Sequence, residues 1–168
     1  GDPNPKFNMS FINNLQYKGI FTFNMQWDWV YGNNLYNQTK QWMYRDGIHS
    51  DYEQPITING ETQAYTAFYR SIYAGGAANG TKNYFYEDAS FWRLRNLSFG
   101  VDIAKLTKIK FTNRLQLVVS GRNLLTFTPY TGMDPEVNYA TNSAFDRGLD
   151  HNTIPNTKAY TIGLNLGF

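Results

Sequence analysis

Three neighbouring residues, His49, Ser50 and Asp51, have the side-chain types of a nucleophilic catalytic triad. A working triad brings its members together from separate parts of the fold, so that the base lies against the nucleophile and a third group orients the base. Residues that are adjacent in one loop do not converge in this way. The sequence therefore predicts no catalytic residue and indicates a protein that is not an enzyme.

Sites for phosphate or a transition metal are also poorly indicated. The segment 75–82, GGAANGTK, is rich in glycine but lacks the Gly-Lys-Ser/Thr order and the strand–helix setting of a phosphate loop. His49 and His151 are far apart in sequence and have no supporting ligands near them. The chain has no cysteine, which excludes disulfides and thiolate metal sites.

Calcium is the one metal ion for which the sequence offers candidate ligands. Asp134 and Glu136, followed in the same segment by Asp146 and Asp150, carry the oxygen ligands that calcium prefers. Their spacing is not that of an EF-hand, and an Asp-Pro turn that orders the loop is the alternative interpretation. We therefore expect no cofactor, and a structural calcium ion is the alternative.

Aromatic side chains are the strongest candidates for ligand binding. They make up 17% of the chain, well above their usual share, and many lie in the segment 32–90, which shows no sustained alternation. Flat rings can stack on sugars or pack against peptides, and we expect a few of them to contact a ligand while the others pack the loop. The aromatic residues of this segment that we consider are Trp42, Tyr44, Tyr52, Tyr65, Phe68, Tyr69, Tyr73, Tyr84 and Tyr86, and the proposed ligand contacts are Trp42, Tyr44, Tyr52, Tyr69, Tyr73 and Tyr86.

The elements that must position these residues are strands. Apolar and polar residues alternate in five segments, which predicts strands with one apolar and one polar face at 6–17, 20–31, 91–104, 113–127 and 158–168. The last of them places Tyr160, Ile162, Leu164, Leu166 and Phe168 on one face. In the third, Trp92 and Leu94 are out of phase with Leu97 and Phe99, and a β-bulge would explain the break.

The connections between these strands differ greatly in length. The segment 32–90 is long, and its residues 33–45 could form a short helix capped by Asn33 or Asn34 and ended by Gly47. The segment 128–157 is also long, whereas Lys18-Gly19 and 105–112 are short turns. Because antiparallel strands alternate in direction, both long connections fall at one end of the sheet and both short ones at the other. Outer-membrane β-barrels have this asymmetry.

Aromatic residues flank the apolar segments at both ends, as they do at the two interfaces of a membrane. Those at the long connections are Trp27, Trp29, Tyr31, Phe91, Trp92, Phe127 and Tyr130, and those at the short turns are Tyr17 and Phe168. No apolar stretch is long enough for a membrane-spanning helix, and the mean hydropathy of −0.52 fits strands of which one face is polar. The net charge of +2 is too small to indicate nucleic acid binding.

These patterns predict an all-β protein, an antiparallel segment of a transmembrane β-barrel with long extracellular loops. The polar faces, including Asn24, Gln26, Asp28, Gln116 and Arg122, would line the lumen, and Asp28 and Arg122 would lie near its extracellular end, against substrate or another part of the protein. Five strands cannot close a membrane barrel, which needs about eight at least. The chain starts at Gly1-Asp2-Pro3 with neither an initiator Met nor a signal segment, so we expect a processed chain or part of a longer one.

Several motifs in order, FWRLRNLSFG, LVVSGRNLLTFTPYTGMDPEV and IPNTKAYTIGLNLGF, make the chain resemble the C-terminal barrel of SusC/RagA-like TonB-dependent transporters. The opening NPKFNMSFINNLQYKGI is similar to the hairpin that precedes them. Two departures are small: no Pro follows Val101-Asp102-Ile103, and Ile154 precedes Pro155 where an aromatic residue is common.

The resemblance implies an integral outer-membrane importer of oligosaccharides or peptides, with a plugged barrel of about 22 strands of which this chain holds the last five. Its implied partners are the remaining barrel and plug, a SusD-like surface lipoprotein, outer-membrane lipid, and the TonB complex acting through an N-terminal region. The C-terminus would be periplasmic, and the terminal strand with Phe168 would be the signal for barrel assembly. The alternatives are another outer-membrane barrel, either a siderophore receptor or a barrel enzyme, and a soluble β-domain that binds glycans.

Overall fold

The computed structural model describes residues 1–63, 82–139 and 147–167. The predicted aromatic residues Tyr65, Phe68, Tyr69 and Tyr73, the acidic residue Asp146 and the C-terminal Phe168 lie outside them. In chain order the elements are β1 (Phe7–Tyr17), β2 (Phe21–Tyr31), β3 (Asn34–Asn37), α1 (Gln38–Asp46), β4 (Ile56–Ile58), β5 (Glu61–Gln63), β6 (Tyr86–Asp88), β7 (Phe91–Asp102), α2 (Ile103–Thr107), β8 (Arg114–Phe127), β9 (Leu149–Asp150) and β10 (Ala159–Gly167). Short 3₁₀ helices cover Ser50–Glu53 and Lys82–Phe85.

The chain divides into two compact units. The sheet unit comprises Lys6–Tyr31, Ser90–Thr128 and Asn156–Phe168, and the loop unit comprises Gly1–Pro5, Gly32–Ala89 and Pro129–Pro155. The sheet unit contains one five-stranded sheet in the order β1-β2-β7-β8-β10, in which all neighbours are antiparallel. These five strands lie where alternation predicts them, with ends that differ by one or two residues.

One row of residues shows how the pleat separates two faces of the sheet. Leu15, Phe23, Phe99, Val119 and Ile162 are partners across all five strands. The next row, one position along each strand, carries Asn14, Asn24, Ser98, Ser120 and Thr161. Because successive side chains point to opposite sides of a strand, the sheet has an apolar face and a polar face.

The β-bulge predicted in the third strand is present at Arg95. Gln26 pairs with Asn96 and Trp27 pairs with Leu94, so Arg95 is the extra residue in the ladder between β2 and β7. The extra residue shifts the alternation by one position, and Leu94 therefore returns to the apolar face together with Leu97. In β1, by contrast, Asn13 lies on the apolar face opposite Met25 in unbroken register, and nothing in the structure explains this polar residue.

The third strand ends earlier than its predicted end at residue 104. The carboxylate of Asp102 accepts a hydrogen bond from the backbone N–H of Lys105 at 3.2 Å and begins helix α2. This capping satisfies a backbone group that would otherwise lack a partner, and it turns the chain out of the sheet. The Lys18-Gly19 turn is present as predicted, with φ of 53° and 63°.

The N-cap of helix α1 lies three or four residues beyond the predicted caps Asn33 and Asn34. Asn37 is the N-cap, and its side chain accepts a hydrogen bond from the backbone N–H of Lys40 at 2.8 Å. The predicted caps Asn33 and Asn34 do not serve, because residues 34–37 form a strand that pairs with β6 on one side and β9 on the other. The helix ends at Gly47 as predicted, with φ of 72°.

Hydrophobic side chains are buried together in the loop unit. Leu35, Ala89, Tyr130 and Val137 form one cluster, and Tyr44 and Phe85 form a second against Tyr36, Tyr52 and Ile56. A hairpin of β4 and β5, turning at Asn59 and Gly60, completes the unit. Among the described residues, no helix combines the length and apolar character needed to cross a membrane.

Candidate functional site

The apolar face of the sheet is exposed over its whole width. Tyr160 and Ile162 each retain 76% of their accessible surface, and Phe11 and Phe99 retain about half of theirs. Exposed large side chains come from every strand of the sheet: Phe7, Met9, Phe11, Leu15, Tyr17, Trp29, Tyr31, Trp92, Phe99, Leu117, Val119, Leu125, Phe127, Tyr160, Ile162, Leu164 and Leu166. A contiguous apolar surface of this size indicates a binding partner or an apolar solvent.

Aromatic rings contact one another at both ends of this face. Near the long connections, Trp27 lies 5.1 Å from Trp92 and 6.4 Å from Phe127 between ring centroids. Near the short connections, Phe21 lies between Tyr17 at 6.5 Å and Phe99 at 6.2 Å.

Two residues expected among these end aromatics are not on the exposed face. Phe91 pairs with Val30 one position away from Trp92, so it points to the other side of the sheet, and it is buried. Tyr130 is buried in the core of the loop unit. Burial of both rings removes them from the surface that the sequence predicted for them.

The polar face carries a continuous chain of hydrogen bonds centred on Asp28. Its carboxylate accepts hydrogen bonds from Arg95 Nε at 2.6 Å, Gln26 Nε2 at 2.9 Å and Ser10 Oγ at 2.9 Å. Arg95 Nη1 donates to Asn123 Oδ1 at 3.3 Å. These residues come from β1, β2, β7 and β8, and we call them, together with Asn96, the transverse network.

The β-bulge explains why Arg95 can reach Asp28. As the extra residue of β7, Arg95 lies outside the regular ladder, and its side chain can bridge β2 and β8. Asn96 extends the network by donating to Gln26 Oε1 at 3.0 Å, and Asn123 donates to the backbone carbonyl of Thr157 at 3.0 Å. Hydrogen bonds therefore connect β1, β2, β7 and β8 with the segment that leads into β10.

Asp28 and Arg122, the two lumen candidates, have different environments. Asp28 is part of the transverse network, where its charge is balanced by Arg95 at 2.6 Å. Arg122 pairs with Asn96 and Ala159 in the ladders and is exposed. Within the part of the chain that the structure describes, its guanidinium has no hydrogen-bond or ion-pair partner, so it is available to an external group.

Two carboxylates, of the partly buried Glu87 and the buried Asp150, organise the loop unit. Glu87 accepts hydrogen bonds from Lys40 Nζ at 3.0 Å and from the backbone N–H of Thr131 at 2.8 Å. Asp150 accepts from Thr39 Oγ1 at 3.0 Å and from the Tyr130 hydroxyl at 2.6 Å. Burial, and then the hydrogen bond to Asp150, raise the pKa of Tyr130, which therefore remains a neutral donor.

A cavity of about 530 Å³ lies in the loop unit beside these groups. Lys40, His49 and Asp150 supply its ionisable groups, and Met43 and Ile154 contribute apolar surface. Its full lining is Asn37, Thr39, Lys40, Met43, His49, Thr131, Gly132, Met133, Asp150, Asn152, Thr153, Ile154 and Pro155. Its size and mixed lining are typical of ligand-binding sites.

The loop aromatics proposed as ligand contacts fall into two groups. Tyr44 is fully buried, donates a hydrogen bond to Asp51 and lies 2.9 Å from the Tyr84 hydroxyl, so it has no surface for a ligand. The prediction that Tyr44 contacts a ligand is therefore wrong, and its ring packs the loop unit instead. Burial is the main reason that the pKa of Tyr44 is raised. Tyr52 packs against the same cluster and donates to the backbone carbonyl of Tyr44 at 2.6 Å.

The second group keeps exposed ring surface. Tyr86 is 48% exposed and lies edge-on to Tyr36 at 4.9 Å. Trp42 is partly exposed, and its ring centroid lies 4.4 Å from that of His151. The Arg45 guanidinium lies 5.0 Å from the centroid of the Trp42 ring. These two rings can still meet a ligand.

The triad-like residues His49 to Asp51 form the start of a 3₁₀ helix. His49 is the N-cap, and its Nδ1 accepts a hydrogen bond from the backbone N–H of Asp51 at 3.2 Å. Ser50 is exposed, and within the described residues no hydrogen bond joins it to His49. Burial lowers the pKa of His49, although Asp51 opposes this shift.

Asp134 orders a turn, which agrees with the alternative interpretation of the calcium candidates. It is buried, and its Oδ1 accepts a hydrogen bond from the backbone N–H of Glu136 at 2.9 Å. Within residues 1–63, 82–139 and 147–167, no group of three or more His, Cys, Asp or Glu side chains could hold a metal ion.

The sequence of the chain is similar to those of two bacterial receptors. TonB-dependent receptor P3 of Formosa agariphila is 34% identical over 178 aligned residues, which cover 100% of this chain and 17% of the receptor. TonB-dependent receptor P39 of the same organism is 30% identical and covers 94% of this chain and 16% of the receptor. The chain therefore spans about a sixth of the length of these relatives. No family model matches it.

Solved structures of a peptide importer share the fold. The RagAB peptide importer in its open-open state superposes with a TM-score of 0.69 and 22% identity, over 98% of this chain and 17% of the importer chain. The RagAB peptide transporter gives a TM-score of 0.62 and 20% identity over 95% of this chain.

Proposed function

The chain is homologous along its whole length to TonB-dependent receptors, and from this premise we propose that it forms five adjacent strands of the barrel wall of an outer-membrane transporter. The complete protein would import oligosaccharides or peptides, take its energy from the TonB complex and work with a SusD-like surface lipoprotein. It would be a transporter and not an enzyme.

The exposed apolar face of the sheet is the observation that carries this proposal. In water, a face with large apolar residues from all five strands would drive association or aggregation, because its burial is favourable. In a bilayer the same face lies in its preferred solvent. The aromatic contacts near Trp27 at one end and Phe21 at the other would then lie at the two interfaces.

The free edges of the sheet support its place in a larger barrel. β1 and β10 each have a neighbour on one side only within the described sheet. Unpaired backbone groups cost several kcal/mol each in hydrocarbon, so both edges require further strands. We propose that the rest of the barrel supplies these strands and that the C-terminus is periplasmic.

The polar face would then line the lumen, and the loop unit would be extracellular. Arg122 would present its guanidinium to cargo or plug, whereas Asp28 would support the wall through its bond to Arg95. Tyr86 and Trp42 would offer ring surface of the loop unit to cargo. The terminal strand, with Tyr160, Ile162, Leu164, Leu166 and Phe168, would carry the assembly signal.

The test uses the complete protein that contains this chain, expressed in its own membrane. We expect it in the outer-membrane fraction, extracted only by detergent, with a gel mobility that changes on heating. Deletion of its gene should abolish uptake of one class of oligosaccharide or peptide, and loss of TonB function should do the same. A protein that is soluble in plain buffer would contradict the barrel, and uptake that is independent of TonB would contradict the transport mechanism.

A further inference from the structure

The short-connection end of the sheet carries three strongly exposed apolar side chains. Phe111 keeps 75% of its surface, Tyr17 keeps 61% and Leu106 keeps 51%. Leu106 lies in α2 and Phe111 follows it, in the connection between β7 and β8. Tyr17 ends β1 and stacks on Phe21, so this apolar surface adjoins the edge of the apolar face.

Lysines lie close to these side chains in the chain, and Lys18 Nζ lies 5.1 Å from the centroid of the Tyr17 ring. Lys18, Lys108 and Lys110 are exposed, and within the described residues none of them has an acidic partner. Lys105 is different, because it lies 3.6 Å from Asp102 and donates a hydrogen bond to the carbonyl of Gly19 at 3.2 Å.

The contacts of Lys105 hold the two short connections together. Gly19 belongs to the β1–β2 turn and Lys105 to helix α2, so their hydrogen bond joins the turn to the helix. The backbone N–H of Asp102 also donates to the carbonyl of Ile20 at 2.8 Å. The two short connections, which carry Lys18, Lys108 and Lys110, are therefore joined to each other.

From this arrangement we propose that Lys18, Lys108 and Lys110, with Tyr17, Leu106 and Phe111, form a binding surface for anionic phospholipids. The inference rests on the membrane placement in the proposed function. Apolar side chains beside the bilayer edge enter the interface, and basic side chains close to them attract lipid phosphates. Three lysines without acidic partners favour anionic lipid over an apolar protein partner, which would have to bury these charges.

The test places the complete transporter in nanodiscs of phosphatidylcholine alone or mixed with phosphatidylglycerol. Native mass spectrometry then measures the phosphatidylglycerol that each protein molecule retains. At low salt, we expect the wild-type protein to retain more phosphatidylglycerol than phosphatidylcholine. In the double variant Lys108→Gln with Lys110→Gln, this enrichment should fall by about fivefold for each lysine removed. High salt should weaken the enrichment because these charges are exposed.

A matched control removes two lysines from the opposite end of the sheet. Lys6→Gln with Lys158→Gln changes the net charge equally, and both residues are exposed. This control should retain the wild-type enrichment, and inorganic phosphate should not compete with the lipid. Phe111→Ser should lower lipid retention without any change in charge.

Two kinds of result separate this inference from the proposed function. A transporter that enters both kinds of nanodisc but shows no phosphatidylglycerol enrichment, or loses it equally in both double variants, would overturn the lipid surface alone. Competition by inorganic phosphate would also overturn it, since it would indicate a simple anion site. A protein that enters neither nanodisc would contradict the barrel itself.

Discussion

Replacing Asp28 by Asn should loosen the sheet at its β-bulge while the strands stay paired elsewhere. The Asp28 carboxylate accepts three hydrogen bonds, the shortest from Arg95 Nε at 2.6 Å. Asn has almost the same shape but no charge, and its nitrogen cannot accept. The variant therefore loses the ion pair and leaves the guanidinium without its counter-charge.

The size of the effect follows from the burial of this pair. The side chains of Asp28 and Arg95 are 16% and 21% exposed, so the pair is partly shielded from water. A hydrogen bond to a charged group contributes about 1.5–3 kcal/mol, and the residual exposure favours the lower part of this range. A loss of about 1.5–2 kcal/mol corresponds to local opening that is about 10- to 30-fold more frequent.

Hydrogen exchange measures this opening directly. In the complete detergent-purified protein, amides in peptides from β7 and β8 next to Arg95 and Asn123 should exchange about 10- to 30-fold faster in Asp28→Asn. Asn24→Ala is the control, since it removes one neutral hydrogen bond, to Ser98 at 3.0 Å, from the same face of the same strand. Its effect should be about fivefold at most.

A double-mutant cycle makes the interpretation specific. If loss of the Asp28–Arg95 ion pair causes the faster exchange, adding Arg95→Gln to Asp28→Asn should increase local opening much less than Arg95→Gln does in the wild type. Fully additive effects, or an Asp28→Asn effect no larger than that of Asn24→Ala, would refute the reasoning.

Three further predictions concern the loop unit. Tyr44→Ala should destabilise it by about 3–5 kcal/mol, because the buried ring packs against Phe85, and limited proteolysis should then cut the loop unit faster than in Tyr86→Ala. Asn37→Ala removes the N-cap of α1 and should cost about 1 kcal/mol, seen as faster exchange of the Lys40 amide. The pKa of His49 is lowered in the fold by burial, so stability should fall as pH drops below about 6.5, the value in the unfolded chain. His49→Gln should remove this pH dependence of proteolysis, and a pH dependence that persists would contradict the assignment.

The sequence predicted the strands and the β-bulge because both have local signals. Alternation of period two identified the five strands, and the change of phase around Arg95 indicated the bulge. The partner of Arg95 was not predictable in the same way. Asp28 lies 67 residues earlier in the chain, and only the register between β2 and β7 brings the two side chains together.

The loop unit was harder to predict because distant pairing decides its local structure. Asn34 is a good helix cap by type, yet it lies in β3, which pairs with β6 and β9 much later in the chain. The Asn59-Gly60 hairpin, however, has a strong local signal that the alternation analysis overlooked.

Residue type alone could not separate the loop aromatics. Tyr44 and Tyr86 are each followed by two charged residues in the sequence, but Tyr44 is fully buried and Tyr86 is half exposed. Burial depends on which segments pack together, and periodicity gives no information on this in an irregular loop. The sequence therefore identified a group of candidates, and burial in the structure removes Tyr44 from this group.

The central claim is tested most directly by introducing an arginine either on the apolar face or on the polar face of one strand. Val119 and Ser120 are neighbours in β8, on the apolar and polar faces respectively, and Val119 is 48% exposed. In water, an arginine at such an exposed position would change stability by about 0.5 kcal/mol or less. In a bilayer it would cost about 2–4 kcal/mol near the midplane.

The measurement is the fraction of the complete protein that reaches the outer membrane in its heat-modifiable form. We predict that Val119→Arg strongly reduces this fraction, whereas Ser120→Arg leaves it close to that of the wild type. Equal assembly of the two variants would contradict the assignment of the apolar face to lipid.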